Sequence, residues 1–376
     1  MDPNAKLSLR YRVQRSIRRR KPISPLWYLL IAAFLIGICV LLKHFPIDKK
    51  PASYDGIAGT GVFTATFAGN VNSVGDGEKM TAADYAAYFE GVKELFAKSD
   101  YVSVAVNDPI LDDHVETYKS GMSVKFSEKY FNYELADALR GLNVTDAVIC
   151  NRNIFRYGSK GALETAKTLE MADMYISGIE TSNSVDGVDI SIYNTGDFDI
   201  IHIGAEASDD RTRDYSSYDI RTYNAKDNNV ARDIENIRQQ NPRAFIAVTF
   251  SWGENYLLKP SSYMKKLCRS AIDAGANLVI GTGIQMVLSA EKYGDGYIFY
   301  GLGNLVSEEA YTMTQRGAIL NCVFDEAGHV TYELVPLSVK NGTPQLSDSK
   351  LILRTLVSDI GKEAEYRIEN GRLILN

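Results

Sequence analysis

Val248-Thr-Phe-Ser-Trp-Gly-Glu-Asn-Tyr256, Ala274-Gly-Ala-Asn-Leu-Val-Ile-Gly281 and Ile298-Phe-Tyr-Gly-Leu-Gly-Asn-Leu-Val306 decide how this chain of 376 residues is read. Together they spell strand, loop, helix, strand, loop, strand over residues 247–306. Their polar side chains gather where strands end. In open α/β folds ligands bind in the crevice beyond the carboxyl ends of the strands. Function is therefore expected to show at Ser251, Trp252, Asn255 and Gln285.

Outward from this stretch the same alternation continues. Toward the N-terminus, Gly61–Gly69, Tyr101–Val106 and Asp146–Cys150 read as strands. Ala82–Lys98, Tyr133–Leu142, Lys160–Ala172 and Val230–Gln240 carry helical spacing. Val188–Tyr193 and Phe198–Ile203 form a hairpin signal joined at Asn194-Thr-Gly-Asp197, and Ser208–Asn229 is a polar loop. A second hairpin joins Ala318–Phe324 to Val330–Val339 through Asp325-Glu-Ala-Gly328. No internal repeat interrupts the pattern. Strand–helix alternation followed by hairpins predicts one α/β domain with a mixed sheet, or two sheets sandwiched by helices.

Charge is divided unevenly. Residues 1–25 hold eight Lys or Arg and one Asp, whereas the remainder holds 33 basic and 46 acidic side chains, a net −13. An acidic domain is a poor nucleic-acid binder, because that binding neutralises phosphates with Lys and Arg. Leu26–Leu42 is uncharged and apolar, with Trp27 and Tyr28 suited to an interfacial belt. The preceding basic cluster predicts a cytoplasmic N-terminus and a main domain outside. Val40-Leu-Leu-Lys-His-Phe45 lacks a small-x-small cleavage site, and Ile38 before Cys39 is not small as a lipoprotein signal would require. An uncleaved, single-pass signal anchor follows. The expected order is a basic cytoplasmic tail (1–25), a transmembrane anchor (26–42), a linker (43–59), an extracytoplasmic domain (60–340) and a C-terminal extension (341–376). Cys150, Cys268 and Cys322 are isolated in apolar contexts and read as small buried hydrophobes. Gly301-Leu-Gly-Asn304 lacks the GxGxxG context of a dinucleotide site.

Several motifs, by their order and spacing, resemble the CapA/PgsA family of bacterial capsule proteins. They are Phe67-Ala-Gly-Asn-Val71, Phe89-Glu-Gly-Val92, Asn151 to Gly158, Ser251-Trp-Gly253 with Tyr256, Ala274 to Gly281, Tyr300 to Val306 and Leu334-Val-Pro336. The resemblance covers roughly residues 60 to 340. It implies a four-layer αββα sandwich like that of calcineurin-like metallophosphoesterases, preceded here by one N-terminal transmembrane helix. It also implies a role in poly-γ-glutamate synthesis.

At the positions that the family pattern assigns to the site, the residue types change. Asn70 stands for an Asp, Ala105 and Asn107 for the Asn and Glu of an Asn-x-Glu, and Ser251 for a His. Asn151, Arg152, Asn153 and Arg156 match an Asn-Asn-His with a downstream Asp, so only Asn151 keeps its identity. Asn255 stands for a Glu, and Gly283 and Gln285 for a His-x-His. A dinuclear hydrolytic site needs carboxylates and imidazoles to balance two cations and activate water. Amides bring no charge, and arginines repel metal. None of the four histidines (His44, His114, His202, His329) falls on a motif position, and His202 reads as a strand residue with a satisfied ring. Asp112-Asp113-His114 with Glu116 reads as a solvated loop. Neither a metal, a cofactor nor a catalytic nucleophile is expected.

The expectation is a catalytically inactive, membrane-anchored accessory subunit. Its cleft would hold an anionic polymer with Arg152 and Arg156 as carboxylate partners, alongside other capsule-synthesis membrane proteins. An active metal-dependent phosphoesterase with unusual ligands, or a signalling or adhesion ectodomain, are the alternatives.

Overall fold

The computed structural model describes residues 25–44, 54–75, 79–112, 129–181, 190–207, 220–225, 229–253, 256–361 and 364–376. The chain forms two compact units, 1–50 and 51–376. In the first, α1 is a 20-residue helix, Pro25–His44, about 30 Å long at 1.5 Å per residue. Trp27, Leu29, Phe34 and Ile36 on it are exposed. Side chains of α1 are described only at Trp27 and over 29–37. Among the described residues no helix is long and apolar enough to cross a membrane.

The second unit begins with β1 (Phe63–Val71), α2 (Ala82–Tyr88), α3 (Lys93–Phe96), β2 (Tyr101–Val106), β3 (Ile110–Leu111), β4 (Phe131–Asn132) and α4 (Glu134–Gly141). It continues through β5 (Asp146–Val148), α5 (Gly158–Met171), β6 (Tyr175–Ser177), β7 (Ile179–Thr181), β8 (Ser191–Asn194), β9 (Asp199–Glu206) and β10 (Ile220–Thr222). Then come α6 (Asn229–Gln240), β11 (Phe245–Ser251), α7 (Ser262–Asp273), β12 (Leu278–Thr282), β13 (Ala290–Tyr293), β14 (Gly296–Phe299) and β15 (Asn304–Val306). The last elements are β16 (Arg316–Phe324), β17 (Val330–Lys340), β18 (Thr343–Leu346), α8 (Lys350–Leu356), β19 (Tyr366–Glu369) and β20 (Arg372–Leu375).

Two sheets result. The larger runs β19-β20-β17-β16-β1-β2-β5-β6, with β15 beside β1 and β18 beside β17. The smaller runs β13-β14-β12-β11-β9-β8. Both have parallel centres, β1–β2–β5–β6 and β9–β11–β12–β14, so their carboxyl ends carry the crossover loops.

The two-residue period of a strand explains the layers. On β11, Phe245 and Ala247 join Phe67, Tyr101, Leu320 and Leu334 in a core between the sheets. Their neighbours Ile246, Val248 and Phe250 face outward onto Val230, Ile234, Met264 and Cys268 of α6 and α7. Beyond the larger sheet, Val102, Val104 and Ala147 pack against Tyr85, Leu135, Leu139, Ala166 and Leu169 of α2, α4 and α5. Helix, sheet, sheet, helix is the αββα order expected from the sequence.

Local chemistry starts the helices where the pattern predicts. Thr81 and Asp84 form a reciprocal capping box on α2, and Ser261 accepts from the Met264 amide at the start of α7. Three expectations need correction. The single helix over 82–98 is two, because the chain turns at 89–92; there a Cβ on Gly91 would collide with the Pro344 carbonyl oxygen. The turn and α3 still bury Phe89, Val92, Leu95 and Phe96. The linker does not reach Gly59: Tyr54 is buried, donating from its hydroxyl to Glu333 Oε2 at 2.6 Å, and Asp55 pairs with Arg372. The domain does not stop at 340 either. β18 and β20 both pair with β17, so residues 343–346 and 372–375 complete the larger sheet.

Candidate functional site

The carboxyl ends of β2 and β9 and the loops after β1, β5, β11 and β12 line one cleft of about 500 Å³. Asn107, Asn151, Arg152, Asn153, Arg156, Ser251 and Gln285, all singled out in the sequence, line it. Sequence reading missed Asn72, Asp108 and Glu206, which line it too.

Asn70 lies beneath the floor, fully buried. Its Nδ2 donates to Ile284 O at 2.8 Å and to Asn304 Oδ1 at 3.1 Å, while its Oδ1 accepts from the Gly283 amide at 2.9 Å. One amide thereby ties β1 to the loop after β12 and to β15. A carboxylate could not donate those two bonds. Gly283 itself has φ +72°, and a Cβ there would lie 2.6 Å from Ser251 Oγ, so the histidine expected at this position by resemblance has no room.

Along one wall, Asn107 donates to Asn72 Oδ1 at 3.1 Å, and Asn72 donates to Asn304 Oδ1 and Val306 O, both at 3.1 Å. Asn151 caps the 3₁₀ turn Arg152–Tyr157: its Oδ1 accepts from the Asn153 amide at 3.0 Å, and its Nδ2 donates to Val106 O at 2.9 Å. That cap projects the arginines into the cleft. Arg152 Nη2 donates to Gly253 O at 3.1 Å. Arg156 Nη1 donates to Asp108 Oδ1 and Lys129 O, each at 2.7 Å, while Asp108 Oδ2 accepts from the Ser73 amide at 2.8 Å. Arg156 thus already has a carboxylate partner within the protein, which corrects its assignment as a cation awaiting a ligand. Lys129 lies 3.9 Å from Glu309, and Glu206 accepts from Thr222 Oγ1 at 2.5 Å.

Trp252 is not on the cleft wall. It is buried in the outer core beside Phe250, and its indole donates to Tyr300 O at 2.9 Å; the sequence placed it among ligand contacts, but an indole N–H with a backbone partner belongs to packing. Asn255, Asp113, His114 and Glu116 lie outside the described residues. At the rim, Tyr256 and the exposed Tyr311 meet edge to face with centroids 6.1 Å apart. Partial burial, then Glu309, pushes the Tyr256 phenol up.

Two groups with catalytic potential are buried away from the cleft. Burial, reinforced by Glu206, pushes the Cys150 thiol up, so it is no thiolate nucleophile at neutral pH. His202 Nδ1 lies 3.0 Å from Asp146 Oδ2, which accepts from Ser103 Oγ at 2.6 Å, and His202 Nε2 lies 2.8 Å from Thr249 Oγ1. Ser, His and Asp meet there, but between the sheets, where no substrate reaches them.

A dinuclear metal centre does not fit the residues present. The strand ends offer amides, a serine and arginines, and of their carboxylates Asp108 is engaged by Arg156 and Glu206 by Thr222. Among the described residues no group of three or more His, Cys, Asp or Glu is placed to hold a metal ion.

Comparison with known proteins agrees with the motif order. The chain is 26% identical over 298 residues to "Capsule biosynthesis protein CapA" of Bacillus anthracis, covering 76% of this chain and 70% of that one. It is 25% identical over 326 residues to "PGA biosynthesis protein CapA" of Bacillus subtilis (strain 168), covering 83% and 82%. Among solved structures, a 5'-nucleotidase precursor from Thermus thermophilus aligns with TM-score 0.43 at 14% identity, covering 75% of this chain and 56% of that one. The sulfate thiohydrolase SoxB of the same organism aligns with TM-score 0.39 at 10% identity, covering 82% and 61%. These structural likenesses are too distant to bear on chemistry. Residues 64–309, from β1 to the cleft rim beyond β15, match the family described as "Bacterial capsule synthesis protein PGA_cap", and the chain belongs to that family.

Proposed function

We propose that this protein is a membrane-anchored accessory subunit of capsule synthesis whose cleft holds the capsule polymer without hydrolysing it. The polymer is an anionic chain such as poly-γ-glutamate, and the partners are other membrane proteins of capsule synthesis. The observation that carries the reading is the donor set of the cleft. Strand ends that would supply metal ligands converge on one polar cleft, yet they present Asn107, Asn151, Arg152, Asn153, Ser251 and Gln285, while the two strand-end carboxylates, Asp108 and Glu206, are taken by Arg156 and Thr222. Such groups bind and orient; they do not activate water at neutral pH. In this reading α1 is the single-pass anchor. What supports this is the sequence: Leu26–Leu42 is uncharged and apolar, and the basic tail before it keeps the N-terminus in the cytoplasm, with the acidic domain outside.

The test uses the full chain in detergent micelles. Calorimetry with oligo-γ-glutamate is expected to give saturable binding at low salt, with no phosphodiester turnover. Absence of binding, or stoichiometric Mn, Fe or Zn accompanied by turnover of a generic phosphodiester, overturns the proposal.

A further inference from the structure

Resting on the reading of the cleft as a polymer site, we propose that Gln285 and Asn153 grip the secondary-amide backbone of the polymer. Its carboxylates are left to solvent. The charges inside the cleft argue against carboxylates as the handle. Three cations line it, Lys129, Arg152 and Arg156, against four carboxylates, Asp108, Glu206, Glu308 and Glu309. Arg156 is held by Asp108 at 2.7 Å, Lys129 lies 3.9 Å from Glu309, and Arg152 already donates to a backbone carbonyl. A polyanion entering this cleft meets a surface with one more negative charge than positive, and like charges at close range repel.

The amides offer the opposite case. Gln285 Oε1 is buried with no hydrogen-bond partner among the described residues. A buried acceptor left in that state is costly, and turning the amide so that this oxygen meets an N–H of a ligand in the cleft relieves the cost. The Asn153 backbone amide is used by the Asn151 cap, whereas among the described residues its side-chain amide has no hydrogen bond. A side-chain amide has both a donor and an acceptor. These two therefore match the alternating N–H and C=O of a polyamide, with Gln285 Oε1 taking an N–H and Asn153 Nδ2 giving to a C=O. Neither bond depends on the charge of the polymer.

The experiment compares oligo-γ-glutamate with its neutral analogue oligo-γ-glutamine on the full chain in micelles, at low and high salt. Affinities for the two chains are expected to agree within about fivefold. Raising ionic strength from about 0.05 M to about 0.5 M, which shortens screening lengths severalfold, should change either by less than about threefold. Gln285→Leu and Asn153→Ala should each weaken both chains by about tenfold, the effect of one net hydrogen bond, without lowering the melting temperature. If oligo-γ-glutamate binds with steep salt dependence and oligo-γ-glutamine does not bind, carboxylates are the handle; this inference falls and the polymer-binding reading stands. Binding of both chains unaffected by either substitution also overturns it. If neither chain binds, the polymer-binding reading itself fails.

Discussion

Asn70 carries the chemical difference between a metal cleft and this one. Its amide donates to two oxygen acceptors and accepts from Gly283, all in full burial. Restoring the acid expected from the family pattern would set a carboxylate against the Ile284 carbonyl and the Asn304 amide oxygen. Asn70→Asp is therefore predicted to destabilise the fold by about 3 kcal/mol or more, the cost of two lost donors and a buried charge lacking a cation. Urea unfolding checks this, and a variant as stable as the parent would refute the cross-linking role. No gain of metal binding is expected, because Ser251, Gly283 and Gln285 remain.

At the scale of elements, the C-terminal segment decides whether the larger sheet has an intact edge. It buries Ile352, Leu353 and Leu356 of α8 and Leu373, Ile374 and Leu375 of β20. At roughly 1.5–3 kcal/mol per fully buried aliphatic side chain, their loss is comparable to the whole of the roughly 5–15 kcal/mol that holds a typical domain together. Arg372, beside the buried Glu333 at 3.7 Å, would also be lost. A chain ending at Lys340 is predicted to lose cooperative thermal unfolding by circular dichroism. A sharp transition in that truncated chain would show that the segment is dispensable.

For the whole molecule, buried tyrosines set an alkaline limit. Burial pushes the Tyr85 phenol from 10.0 up to about 12, and burial likewise raises Tyr101 and Tyr332 well above the ordinary value. Unfolded tyrosines ionise near pH 10 while the folded ones stay neutral. The stabilisation is thus full below about pH 10 and is lost as pH rises through about 12. Each fully buried tyrosine contributes about 1.4 kcal/mol per pH unit to the loss within that window. Melting temperature is predicted to be flat from about pH 8 to 9.5 and to fall steeply above about pH 10. A flat profile through about pH 11.5 would contradict the burial of these rings.

Much of this was legible in one dimension. Near-continuous apolar runs such as Phe245–Ser251 need no distant information to become strands buried on both faces, and their alternation with amphipathic helices left a mixed-sheet domain or a two-sheet sandwich, between which the family resemblance pointed to αββα. The exchange of acids and histidines for amides and arginines was equally plain, because residue type alone sets charge and donor capacity. Only the tertiary structure decided how those groups are used. It placed Trp252 in the core rather than the cleft, gave Arg156 to Asp108, set Asn70 under the floor, and brought Asn72, Asp108 and Glu206 to the same walls. The physical reason is that a residue's type defines what it can bond. Its partner arrives by crossover connections from another strand end, in Asn70's case more than two hundred residues away, and no local pattern encodes that meeting.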